Sequence, residues 1–214
     1  MTLIDNTILF VKKQLQHAEG GHDWFHIERV YKNALLIAQS EECNLTVVKL
    51  AALLHDIADS KFHNGDENIG PKTARNFLEQ ENVDETTIAH VVAIIENISF
   101  KGGNVTKTFY SKELDIVQDA DRLDAIGAIG IARTFNYGGF KNRPLYDPAI
   151  PPQMNMNKEE YKNSSAPTLN HFYEKLLLLK DKMNTETGKK IALARHQFME
   201  RFLAQFYSEW EGQN

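Results

Sequence analysis

LAALLHDIADSKF, residues 50–62, begins as a buried helix and then sets two ionisable side chains next to each other. Leu50, Ala51 and Leu54 continue an apolar stripe from Val47, and His55 and Asp56 follow directly at its end. An imidazole or carboxylate withdrawn from water is costly unless it is paired, hydrogen-bonded or bound to metal. The stretch therefore has two readings, a satisfied polar network or a ligand site. The rest of the chain must choose between them.

Outward from it, nearly every periodic segment repeats at the helical interval. Ile4, Ile8, Val11 and Leu15 stripe a first helix; Ile27, Val30 or Tyr31, Ala34 and Ala38 stripe a second; the run ending at His55-Asp56 is the third. Gly70-Pro71 opens a fourth, with proline in a first-turn position where its missing N–H costs little, followed by Ala74, Phe77 and Leu78. Asp84 is a cap for a fifth, striped by Ile88, Val91, Val92 and Ile95, and Ser111 for a sixth through Leu114, Val117 and Leu123 into AIGAIGIAR. Residues 136–166 carry two adjacent glycines, four prolines and no period. A structureless segment of that length inside a domain is uncommon and often functional. Pro167 opens a helix with Leu169, Phe172, Leu176 and Leu179, and Ile191, Ala194, Phe198, Phe202, Phe206 and Trp210 stripe the last. The expectation is an all-α fold forming one domain over residues 1–214. Its motif-bearing core covers about 20–135, helices at about 167–211 pack on it, and a long loop or lid is inserted near 136–166.

Bulk properties narrow the function. Hydrophobic residues make up 42% and charged residues 25% of the 214, enough for a real core. The formal net charge of −5 argues against a DNA- or RNA-polymer binder, though a local basic pocket is compatible with it. Cys43 is the one cysteine, so no intrachain disulfide forms, as suits a reducing compartment. The N-terminal MTLIDNTILFVKKQLQ lacks the build of a signal peptide, and no apolar run approaches a membrane span. The chain is expected to be cytoplasmic.

Three helices offer polar groups from faces that should be apolar. His26 shares a face with Val30 and Ile37; His55 and Asp56 end the third helix; Asp121 follows Leu114 and Val117 at i+7 and i+4. If these faces converge, the site is two imidazoles and two carboxylates. That donor set suits divalent manganese, iron, cobalt, nickel or zinc, and one cysteine argues against a thiolate structural zinc site. Four ligands around an octahedral ion leave two positions for water and a substrate oxygen, as phosphoester or phosphoanhydride hydrolysis requires. The competing reading makes His26 a hydrogen-bonded core residue and Asp121 an ion-pair partner of Arg122 or Arg133.

The order His26, His55-Asp56, Asp121 resembles the HD-domain phosphohydrolase superfamily. The longer stretches GHDWFHIERV, LLHDIADSKF and DADRLDAIGAIGIAR resemble its small single-domain bacterial members, as does the C-terminal HFYEKLLLLKDKMNTETGKKIALARHQFMERFLAQF. The resemblance implies an all-α divalent-metal hydrolase in which His26, His55, Asp56 and Asp121 match the ligand positions. It also implies cleavage of nucleoside triphosphates to monophosphate and pyrophosphate. Manganese is the first choice of ion, with magnesium, cobalt, nickel, iron or zinc as alternatives.

Further residues fit this chemistry. Asp59 would orient or deprotonate the attacking water, beside Asp56 in the catalytic set, and Lys61 would neutralise a phosphate oxygen. His22, one turn before His26, orients a ligand or caps the helix start. Dinuclear members of the superfamily use extra histidines between the HD pair and the last aspartate, where this chain has His63 and His90. Arg122, Lys141 and Arg143 are candidate phosphate contacts, the latter two in TFNYGGFKNRPLY with Phe135, Tyr137, Phe140 and Tyr146. The alternatives are a phosphomonoesterase or phosphodiesterase on the same metal, a non-catalytic nucleotide or metal sensor, and a structural module held by buried ion pairs.

Overall fold

The computed structural model of the chain describes residues 1–16, 23–57, 68–98, 109–156, 160 and 164–213. Every regular element among them is helical, in agreement with the all-α expectation. No helix of the described residues is long and apolar enough to cross a membrane. By their contacts the residues group into two units, Met1–Asp121 and Arg122–Asn214.

In the first unit, short polar side chains start the helices. Helix α1 (Leu3–Gln14) opens with a reciprocal capping box. Thr2 Oγ1 accepts the Asp5 N–H, and the Asp5 carboxylate accepts the Thr2 N–H, which holds the Asp5 carboxyl below its ordinary range. Asp23 caps α2 (Trp24–Ala38), and Asn44 caps α3 (Leu45–Leu54) by accepting from Thr46 and Val47. Pro71 sits in the first turn of α4 (Ile69–Gln80). Asp84 and Ser111 accept the Thr87 and Leu114 N–H groups at the starts of α5 (Glu85–Ile98) and α6 (Lys112–Asp124), the two caps read from sequence.

The core of this unit centres on α3. Val48, Leu50, Ala51, Ala52, Leu53 and Leu54 are all fully buried, so the last five residues of the helix, Leu50 to Leu54, are buried around the whole circumference. It packs against α1, α2 and α5. Burying each leucine contributes roughly 1.5–3 kcal/mol. Phe10 of α1 stacks on Phe77 of α4 with ring centres 4.1 Å apart.

The second unit contains α7 (Gly127–Phe140), a short α8 (Asn170–Glu174), a 3₁₀ turn (Leu176–Lys182) and α9 (Glu186–Trp210). Three sequence expectations change here. The break expected from residue 136 begins later, because α7 runs through Gly138 and Gly139 to Phe140. Gly138 is demanded by packing: a Cβ there would lie 2.1 Å from Thr168 Oγ1. The helix expected after Pro167 breaks at Lys175 (φ −144°) and resumes as the 3₁₀ turn. The buried stripe of α9 is Gly188, Ala192, His196, Met199 and Leu203, whereas Phe198 is 43% exposed. Phe202 and Phe206 join aromatic clusters with Phe135, Phe172 and Tyr146.

Candidate metal centre

Local rules bring the candidate ligands to the ends of their helices. Asp23 Oδ1 accepts the His26 main-chain N–H at 3.0 Å, so the first histidine–aspartate dipeptide, His22-Asp23, contributes a helix cap. The cap fixes the first turn of α2 and places His26 among the buried Ile27 and Val30, itself only 2% exposed. On α3, His55 keeps helical geometry just past the apolar run, and the last carbonyls of a helix lack main-chain donors. The His55 ring supplies one: Nδ1–H donates to the Ala52 carbonyl at 2.9 Å. A carbonyl only accepts, so Nδ1 holds the proton and Nε2 presents a lone pair. Burial pushes the His55 imidazolium below its ordinary pKa, and the opposing pull of Asp121 is the smaller effect.

Three acceptor-capable atoms then converge. His55 Nε2 and His26 Nε2 are 3.3 Å apart, with the rings edge-on at 68°. Asp121 Oδ1 lies 3.5 Å from His26 Nε2 and 3.9 Å from His55 Nε2. His26, His55 and Asp56 each offer a ligand atom within 4.8 Å of the others. A direct charge-assisted histidine–carboxylate bond would close to about 2.7–2.9 Å, and these separations do not. Bonds of about 2.1 Å to a divalent ion put neighbouring ligand atoms about 3.0 Å apart and opposite ones about 4.2 Å apart in an octahedron. The observed nitrogen–nitrogen and nitrogen–oxygen spacings of 3.3, 3.5 and 3.9 Å fall in that window. The donors fit a divalent ion.

Asp121 supplies the open side. Leu114 and Val117 on its helix face are fully buried, but the Asp121 side chain is 38% exposed. The ion pair considered for it from sequence forms on another carboxylate: Arg133 bonds Asp124 at 2.6 Å, and Arg122 donates to the Lys182 carbonyl. Asp124, Asp119 and Glu113, all buried, were not singled out from sequence. Their only signal was spacing, since Asp124 precedes Arg133 by nine residues across a turn.

The remaining candidates separate. His22, Asp59, Lys61 and His63 lie outside the described residues. His90 Nε2 meets Ser111 Oγ at 3.0 Å and Glu113 Oε2 at 3.4 Å, and its ring edge packs on Phe109. Those partners lie at the start of α6, eight to ten residues or about 12–15 Å of helix from Asp121, so His90 is not gathered with the others. In the second unit, Lys141 lies over the Tyr137 and Phe140 rings. Arg143 lies over Tyr137 and donates to the Ser164 carbonyl. Tyr146 packs against Phe206, Tyr207 and Trp210, so of the four loop aromatics only Tyr137 and Phe140 are strongly exposed.

Residues 24–126, which contain all four candidate ligands, match the HD domain family. An HD-superfamily hydrolase from Bacillus thuringiensis shares 47% identity and superposes with a TM-score of 0.79, covering 98% of this chain and 97% of the other. The chain belongs to the HD-domain hydrolase superfamily. A second relative is YpgQ of Bacillus subtilis, 36% identical over 211 residues, which are 95% of this chain and 91% of YpgQ. The crystal structure of YpgQ in complex with ADP has a TM-score of 0.77 at 33% identity, covering 96% of this chain and 94% of YpgQ. His26 and the His55-Asp56 pair thus lie in an HD domain whose helices bring their donor atoms together.

Proposed function

We propose that this chain is a metal-dependent phosphohydrolase acting on nucleotides. The reaction is cleavage of a nucleoside or deoxynucleoside triphosphate to the monophosphate and pyrophosphate, carried out by residues 1–214 as one HD domain. The observation that carries this reading is the convergence of His26, His55 and Asp121, with Asp56 beside the two rings, at spacings that suit ligands around one divalent ion. The complex of YpgQ with ADP supports a nucleotide as ligand.

His26, His55, Asp56 and Asp121 would hold the ion, with manganese the first choice. When bound, it supplies Lewis acidity and positive charge toward phosphate. The chain's own residues do the rest. The Ala52 carbonyl holds His55 in the tautomer that keeps Nε2 free, and burial keeps that ring neutral. The exposed side of Asp121 leaves a path from solvent. Asp59 would take the proton from the attacking water and Lys61 would face the phosphate.

The test is turnover of a panel of nucleoside and deoxynucleoside triphosphates with manganese, magnesium, cobalt, nickel and zinc, with pyrophosphate and orthophosphate measured separately. Pyrophosphate release that disappears in Asp56→Ala is expected. Orthophosphate alone would make the chain a phosphomonoesterase on the same centre. Unchanged turnover in Asp56→Ala would remove the site assignment.

A further inference from the structure

The last turn of α6 is gripped by two arginines from elsewhere in the sequence. Asp124 is 1% exposed, and Arg133 Nη1 reaches both its carboxylate, at 2.6 Å, and its main-chain carbonyl, at 3.2 Å. Arg195 of α9 donates to the Leu123 carbonyl. Burial pushes the Arg195 guanidinium down and the nearby Asp124 charge partly restores it.

Two glycines make room for this arrangement. Gly127 has φ +77°, and a Cβ there would come within 2.9 Å of Arg195 Cγ. At Gly130 a Cβ would lie 2.3 Å from the Ala125 carbonyl oxygen, so glycine lets α7 begin close against the turn that leaves α6. Helices ordinarily end with a C-terminal glycine or water on the last carbonyls. A buried carboxylate between guanidiniums is a costly substitute that stabilises little by itself. Such a device fits a place where position matters more than stability.

The gripped turn carries Asp121. Its side chain is 38% exposed and gains little fixing from packing, yet its Oδ1 sits 3.5 and 3.9 Å from the two histidine nitrogens. The course of the α6 backbone must supply that placement, and α6 is continuous from Lys112 to Asp124. We propose that Arg133 and Arg195 are positioning residues that hold the C-terminal turn of α6 so that Asp121 completes the metal centre. This rests on reading the four residues as metal ligands.

Binding of manganese to the full chain, followed by titration calorimetry, tests it. Arg195→Met keeps the apolar stem and removes the donor. It should weaken manganese binding tenfold or more, the range seen when outer groups that orient ligands are lost. In an Asp121→Ala background the same change should leave the remaining affinity unchanged within twofold, because the residue being positioned is gone. Arg195→Lys, which restores a donor, should recover part of the loss. If Arg195→Met does not fold, Arg133→Lys serves, since it keeps a charge for Asp124 but loses the guanidinium fork; the same dependence on Asp121 is expected. Equal loss in both backgrounds, or no loss in either, overturns the proposal. A wild-type chain that binds no manganese, or binds it equally well as His55→Ala, overturns the metal reading itself and the proposal with it.

Discussion

Loading the centre with manganese should raise the unfolding temperature, and the geometry says which substitutions abolish the effect. The candidate donors come from α2, the end of α3 and α6, so an ion held there ties three helices of one unit together. A ligand bound only by the folded state at 100 times its dissociation constant stabilises by about 2.7 kcal/mol. For a chain of 214 residues, each kcal/mol moves the midpoint roughly 2–4 °C, so the rise should be roughly 5–11 °C. Differential scanning calorimetry with and without manganese, reversed by a chelator, measures it. His55→Ala should lose the rise because it removes a buried donor 3.3 Å from its neighbour. His90→Ala should keep it, because His90 is engaged with Ser111 and Glu113 at the other end of α6. An equal rise in wild type and His55→Ala, or loss of the rise in His90→Ala, would refute the assignment of His55 over His90.

Two further outcomes follow from the second unit. His171 is half-buried near Lys175 and Arg143, and loss of water around its ring chiefly lowers its pKa, to about 3. The unfolded chain therefore binds the extra proton first, so this contribution to stability is complete above about pH 6.5 and is lost as pH falls toward 3, at about 1.4 kcal/mol per unit. Denaturant titrations between pH 7 and 4 should show a steeper acid decline in wild type than in His171→Leu, and equal slopes would remove the effect. Gly138→Ala, whose Cβ meets Thr168 Oγ1 at 2.1 Å, should cost roughly 1–3 kcal/mol. The neighbouring Gly139→Ala, with nothing within 4 Å, should be neutral or stabilising by roughly 0.5–1 kcal/mol; the two midpoints in urea decide it.

What could be read from sequence was whatever stood out against a period. His26 and Asp121 are polar positions on otherwise apolar stripes, and His55-Asp56 ends an apolar helix, so each was visible one helix at a time. Asp84 and Ser111 were visible as caps because short polar side chains precede apolar runs. The α9 stripe was misplaced because large residues dominate such a reading. Ile191, Phe198 and Phe202 outweigh Ala192 and Met199 in hydrophobicity, yet the smaller residues lie on the face that packs tightly. Gly138-Gly139 read as a break because glycine is a poor helix former, and only Thr168 shows why one belongs there. Arg133 was considered for Asp121 and pairs with Asp124, since the turn after α6 decides which carboxylate faces it.

The partial exposure of Asp121 bears on how fast an ion at this centre would come and go. His26 and His55 are shut off from solvent, and an ion enclosed by such groups on all sides could leave only when the helices parted. With one ligand reaching water, an incoming chelator or a competing metal can attack at that carboxylate while the helices stay packed. Exchange would then scale with the concentration of the attacking species instead of with the rate of global opening. The ion found on the purified chain would record the metals it last met.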